Sequence, residues 1–162
     1  MRTEIVKIYQ YEELNEAAKA SARNWLRNCQ DNEGYTWWND ALKSIEEFSA
    51  LFNVSIKKYE VSPWSYSYID TDAENGNFRG LTLKAAKNLN IENSGYYLDY
   101  SLMETFLFSF EASGDALYAY NKAIEKTLSL ILKDWEYQYS DEYLAENIVL
   151  NSYEFTEDGK IH

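Results

Sequence analysis

Apolar side chains recur along this chain with two periods, and the elements follow from them. From Thr3 to Tyr9 they alternate, Ile5 and Lys7 against Val6 and Ile8, which predicts a short strand. Leu14, Ala18, Ala22, Trp25 and Cys29 then stand four, four, three and four residues apart. That is one face of a helix opening at Tyr11-Glu12-Glu13-Leu14 and running to about Gln30. Asp31 to Gly34 ends it. Thr36 is placed to cap a second helix, Trp37 to about Phe52, with Trp38, Leu42, Ile45, Phe48 (or Ser49) and Phe52 as its buried stripe. Asn53 suits the left-handed conformation that closes such a helix.

Strand periodicity returns at Val54 to Val61, and Trp64 to Ile69 has the β-propensity of a further strand. A polar loop, Asp70 to Gly76, leads to a short strand at Asn77 to Arg79. Leu81 to Leu89 reads as a helical turn or two, and Asn88 to Gly95 as loop. Tyr100 to Ala112, apolar on nearly all sides, predicts a buried helix that Ser113-Gly114-Asp115 breaks. Leu117, Tyr120, Ile124, Leu128, Ile131 and Trp135 form the clearest amphipathic stripe of the chain, on a long helix that makes the main core face. Ser140 caps a last helix, Asp141 to about Leu150. Tyr153 to Thr156 and the Asp158-Gly159 pair read as a terminal strand and tight turn. No internal repeat is visible. The pattern is α+β and mainly helical: about five helices packed on a small antiparallel sheet of short strands, as a single domain over residues 1–162.

Composition narrows what such a domain does. The chain has 27 Asp and Glu against 15 Lys and Arg, a formal charge of -12. A chain this acidic is often disordered, but disordered chains are poor in rings, and 17% of these residues are aromatic, 15 of them Tyr. The expectation is a folded molecule with a negative surface carrying tyrosines among its carboxylates. Phosphate contacts need clustered Lys and Arg, so direct binding of nucleic acid or of an anionic membrane is not expected. No apolar run approaches the ~20 residues of a membrane span, and the first residues lack the apolar core of a signal peptide. Both features point to the cytoplasm.

Catalytic chemistry has little to build from. His162 is the only histidine and lies at the end of the chain, where a frayed tail is expected. Cys29, the only cysteine, sits on the inner face of the first helix, as inert buried cysteines do. Asp70, Asp72 and Glu74 alternate before Asn75-Gly76 like a loose calcium loop. The sixth and twelfth positions are Asn75 and Leu81, not the Gly and Glu an EF-hand needs, so a solvated loop is the reading. No Gly-rich phosphate loop is present. No enzyme, metal or cofactor is expected.

The stronger constellation mixes carboxylates with rings. Asp134, Glu136, Asp141, Glu142 and Glu146 fall across the junction of the last two helices and are expected on one exposed rim, with Tyr137, Tyr139 and Tyr143 as anchors. Glu12, Glu13 and Glu16, beside Tyr9 and Tyr11, form a second cluster, and Asp70 to Glu74 a third. Carboxylates steer a basic partner, and tyrosines supply contact area at low entropic cost.

Several short motifs resemble a family of small acidic phage- and prophage-encoded proteins loosely labelled antitoxins of toxin–antitoxin stability systems. The motifs are Tyr11-Glu12-Glu13-Leu14 with Ala18, Ala22, Arg23 and Trp25; Trp37-Trp38; Trp64-Ser65; Phe78-Arg79-Gly80; and Tyr153 to Gly159. That family is usually Gly-rich after the Trp-Ser pair, where this chain has Tyr66-Ser67-Tyr68-Ile69-Asp70. The resemblance implies a mobile-element origin and action in the host cytoplasm. Acidic phage proteins of this kind resemble inhibitors of host defence, of the anti-CRISPR or anti-restriction type. The expected function is therefore non-enzymatic: blocking a basic nucleic-acid-binding surface of a host protein or nucleoprotein complex. The alternative is an antitoxin that neutralises a cognate toxin by direct binding.

Overall fold

The structure, a computed structural model, describes residues 7–91 and 98–162. Its contacts divide the chain into two compact units, one of residues 1–36 and 135–162, the other Trp37–Asp134. Neither boundary has the composition of a linker, and the second falls inside a continuous helix. The architecture is α+β and mainly helical, as the periodicities predict. Its strands form two separate two-stranded antiparallel sheets instead of one.

In the first unit the strand expected from Thr3 begins among residues outside those described; the part observed is β1 (Tyr9–Gln10). A 3-10 turn, Tyr11–Glu13, follows. The helix does not open here. Leu14 is extended (φ −72, ψ 150), and Asn15 is the true cap, its Oδ1 accepting from the Ala18 amide at 3.0 Å. Helix α1 runs Glu16–Glu33 and ends at Gly34, whose positive φ of 73 is the kind of backbone glycine tolerates. Ala18 and Ala22 are small and buried, which lets α6 (Asp141–Leu150) pack against α1. Leu26, not Trp25, completes the buried stripe, with Leu144, Ile148 and Phe155. Trp25 is half-buried, edge-on to Tyr153 at 5.2 Å. Cys29 is half-buried as well.

Strand β4 (Glu154–Phe155) pairs antiparallel with β1, Tyr9 opposite Phe155. The Asp158-Gly159 turn closes as expected: the Thr156 amide donates to the Lys160 carbonyl at 2.9 Å, and Phe155 bridges Ile161. The chain end is not frayed, since the His162 amide donates to the Glu154 carbonyl at 2.9 Å.

The second unit begins with α2 (Trp38–Ala50). No side chain caps it, so Thr36 does not take that role. Its buried face is turned from the expected stripe: Ala41, Ser44, Ile45, Phe48 and Ser49 are buried while Leu42 is only half-buried. Asn53 takes the left-handed conformation (φ 55). Strands β2 (Ile56–Glu60) and β3 (Tyr68–Thr71) form the second sheet. The stretch Trp64–Tyr66 stays outside β3 because Ser67 Oγ accepts from the Ser62 amide and donates to its carbonyl, tying off a loop. Asn77–Arg79 is likewise no strand; the Asn77 amide is used by the Phe52 carbonyl at 2.7 Å.

A short helix, α3 (Leu83–Ala86), precedes α4 (Leu98–Ser113), and both α2 and α3 pack on α4. The loop expected at Asn88 to Gly95 falls mostly outside the described residues. Helix α4 is not buried all round. Leu98, Leu102, Phe106 and Phe110, four residues apart, are its covered face, whereas Tyr100 and Phe108 are exposed. Helix α5 (Ala116–Gln138) contributes Tyr120, Ile124 and Ile131 as predicted, together with Ala116, Ala119, Ala123 and Thr127. Tyr120 stacks on Phe48 with ring centroids 5.4 Å apart, and its hydroxyl meets Ser49 Oγ at 2.8 Å. Among the described residues no helix is long and apolar enough to cross a membrane.

Candidate partner-binding face

The acidic aromatic stretch lies at the last turn of α5 and along α6, in the first unit. Ser140 caps α6 as read from sequence, its Oγ accepting from the Tyr143 amide at 3.2 Å. Asp141 and Glu142 fill the first helical turn, where the positive end of the dipole favours carboxylates. From there the side chains divide into two sets.

One set is committed to the fold. Asp141 accepts from Arg27 Nη2 at 2.8 Å and lies 3.3 Å from Arg23 Nη2. The hydrogen bond from Arg27 leads the influences that hold its carboxyl below the usual range, with the charges of both arginines adding. Arg27 also donates to the Tyr139 carbonyl at 3.3 Å, so one guanidinium spans the junction between α5 and α6. Arg23 reaches the Tyr11 hydroxyl at 2.6 Å, which raises its own pKa. Tyr139 donates to Asp31 at 2.9 Å. Asp141 and Tyr139 are thus internal ties rather than parts of an open rim. Arg23 and Arg27, one turn apart on α1, are the residues sequence reasoning missed; their i, i+4 spacing is the signal that pairs them.

The other set faces outward. Tyr137 is 45% exposed and lies edge-on to the half-buried Tyr143, with ring centroids 5.5 Å apart. Desolvation, then the negative fields of Glu146 and Glu142, push the Tyr137 hydroxyl pKa up. Those two glutamates are four residues apart on α6 and exposed, as is Glu136. No ion pair joins any of the three to a cation among the described residues. Like charges at this spacing cost a helix about 0.2–0.5 kcal/mol, and no ion pair among the described residues offsets that repulsion. Asp134 belongs to the other unit and is half-buried with a partner of its own.

The remaining clusters are less open. Glu13 accepts from the Gln10 amide at 2.7 Å, and Glu16 pairs with Lys19 at 3.3 Å. Tyr11 is buried beneath them and Tyr9 is half-buried in β1, which leaves Glu12 as an exposed charge without an aromatic anchor. In the third cluster Asp72 accepts from the Ser55 amide at 2.5 Å and pairs with Lys57 at 3.0 Å, and its pKa is lowered by those bonds in that order. Among the described residues no group of three or more His, Cys, Asp or Glu side chains is disposed to hold a metal ion.

A pair of rings in contact, flanked by three carboxylates without an ion pair, offers an anchor and a negative field across the end of α5 and the start of α6. Compared with models of protein families, with curated proteins and with solved structures, the chain matches none.

Proposed function

We propose that the chain is a non-enzymatic, phage-encoded inhibitor acting in the host cytoplasm. Its acidic, tyrosine-rich face blocks a basic nucleic-acid-binding surface of a host defence complex, of the anti-CRISPR or anti-restriction type. The observation that carries this reading is the uncompensated set Glu136, Glu142 and Glu146 around Tyr137 and Tyr143. The carboxylates take the place of phosphates in a Lys- and Arg-lined groove and steer encounter. The tyrosines supply contact area that loses little rotamer freedom on binding. The net charge of -12 extends that attraction over a longer range. The phage origin and the defence target rest on the resemblance carried by Tyr11 to Leu14, Trp37-Trp38 and Tyr153 to Gly159.

The test is capture from a host extract on the immobilised chain, mass spectrometry of what is retained, and a DNA-binding assay on that complex. The expected result is a nucleic-acid-binding complex that loses DNA in proportion to added inhibitor. The triple variant E136K/E142K/E146K, with an unchanged circular dichroism spectrum, should retain and inhibit nothing. A captured protein that keeps its DNA, or one bound equally by the triple variant, would refute the proposal.

A further inference from the structure

Phe108 is 75% exposed in the middle of α4, and Tyr100, two turns earlier, is 72% exposed. Phe108 and Tyr118, the latter 48% exposed, line the same hollow, so the apolar area they leave in water is contiguous and burial would recover it. Phe108 also borders two hollows. One, of about 590 Å³, lies between α4 and α5, lined by Glu104, Thr105 and Phe108 on one side and Lys122, Glu125 and Lys126 on the other. The second, of about 550 Å³, is bounded by Phe108, Ala112, Asp115 and Tyr118. A knob thus stands next to holes able to take a ring.

The two walls carry opposite charge. Of the acids on α4, Glu104 lines the hollow and accepts from the Tyr100 hydroxyl at 2.9 Å, while Glu111 pairs with Lys87 at 3.8 Å on another side. On the α5 wall Lys122 is tied to Glu125 at 2.6 Å, which leaves Lys126 exposed with no ion pair among the described residues. The chain turns at Gly114-Asp115, and the shared hollow sets Glu104 and Phe108 of α4 across from Lys122 and Lys126 of α5. Half a turn about an axis running along the groove then sets each wall of one copy on the opposite wall of another. Acid meets base in both directions, and each Phe108 faces a hollow of the other copy.

We infer that two copies of this chain pair through the α4–α5 groove in an isologous, antiparallel four-helix contact, with Phe108 as the anchor and Glu104 facing Lys126 of the second copy. Such self-complementarity is what a two-fold interface requires, and four antiparallel helices are a common way to satisfy it. The pairing uses the second unit and is independent of the acidic face of the first. It gives each particle two such faces, hence avidity toward a target with repeated sites.

Size-exclusion chromatography with light scattering, at about 100 µM chain, reads the outcome, since a pair held by a standard interface is populated well below that concentration. The chain should run at twice its 19.0 kDa mass, and F108E at the mass of one chain with unchanged helicity. E104K and K126E should each weaken pairing by about five-fold or more, and the double variant should recover most of the loss. A wild-type chain that stays single at this concentration, an F108E variant that still pairs, or a double variant weaker than either single would overturn the inference. The first of these results would hand the groove to a different occupant.

Discussion

Asp141 and Glu142 are neighbours in the first turn of α6, yet they do opposite things. Asp141 has both oxygens engaged by Arg27 and Arg23, while Glu142 points a free charge outward. The difference shows in how stability depends on pH. The folded-state pKa of Asp141 lies below its ordinary value of 3.8. Its contribution is therefore complete above that value and is lost as pH falls through the folded pKa. The side chain is 66% exposed, so solvent screening keeps the contribution below about 1 kcal/mol. Urea unfolding of D141N beside the wild type should show a constant gap near neutral pH that closes under acid. A gap unchanged from about pH 7 to about pH 2 would contradict the ion-paired geometry.

At the scale of elements, what decided legibility was whether a local signal was specific. Helix α6 was readable because Ser140, two acids and an apolar stripe agree on the same start. The start of α1 was not, because Glu12 and Glu13 imitate a first helical turn while Asn15, a good cap, lies just beyond. The buried face of α2 was turned because Ala41 and Ser44 carry almost no hydrophobic signal. Helix α4 looked buried on every side because Phe, Leu and Met on all faces do not say which face the fold covers. Within the candidate face, the glutamates and tyrosines were legible as a cluster. The loss of Asp141 and Tyr139 to internal ties was not, because the partners of Asp141 sit 114 and 118 residues away on α1.

The terminal turn shows the same coupling at closer quarters. Asp158 is held at about 2 by the Lys160 ammonium and then by the Thr156 hydroxyl, and Gly159, at φ 78, is pressed against the Ala18 carbonyl of α1. A methyl group there meets both an unfavourable backbone region and a wall of backbone. Gly159→Ala is expected to cost at least about 2 kcal/mol, read as a lowered urea midpoint. A neutral substitution would mean that the turn does not dock on α1.

Over the whole molecule, the charge of -12 resolves into parts with different roles. Some carboxylates build the fold: Asp141 on the arginines of α1, Asp72 across the β2–β3 sheet, Asp158 in the last turn. Others form ordinary helix-surface pairs, such as Glu16 with Lys19 and Glu47 with Lys43, worth little individually. What remains concentrated, exposed and unpaired beside aromatic rings is the set on α6 and the end of α5. Folding gains from that concentration only the favourable place of Glu142 at the start of α6, and self-repulsion works against the rest. A basic partner would offset the repulsion and convert it into binding energy. The most direct test is the affinity of the captured host complex measured across ionic strength. The account predicts a loss of at least about ten-fold between roughly 50 and 500 mM salt, with E136K/E142K/E146K weaker and flatter throughout. An affinity that holds constant over that range would contradict it.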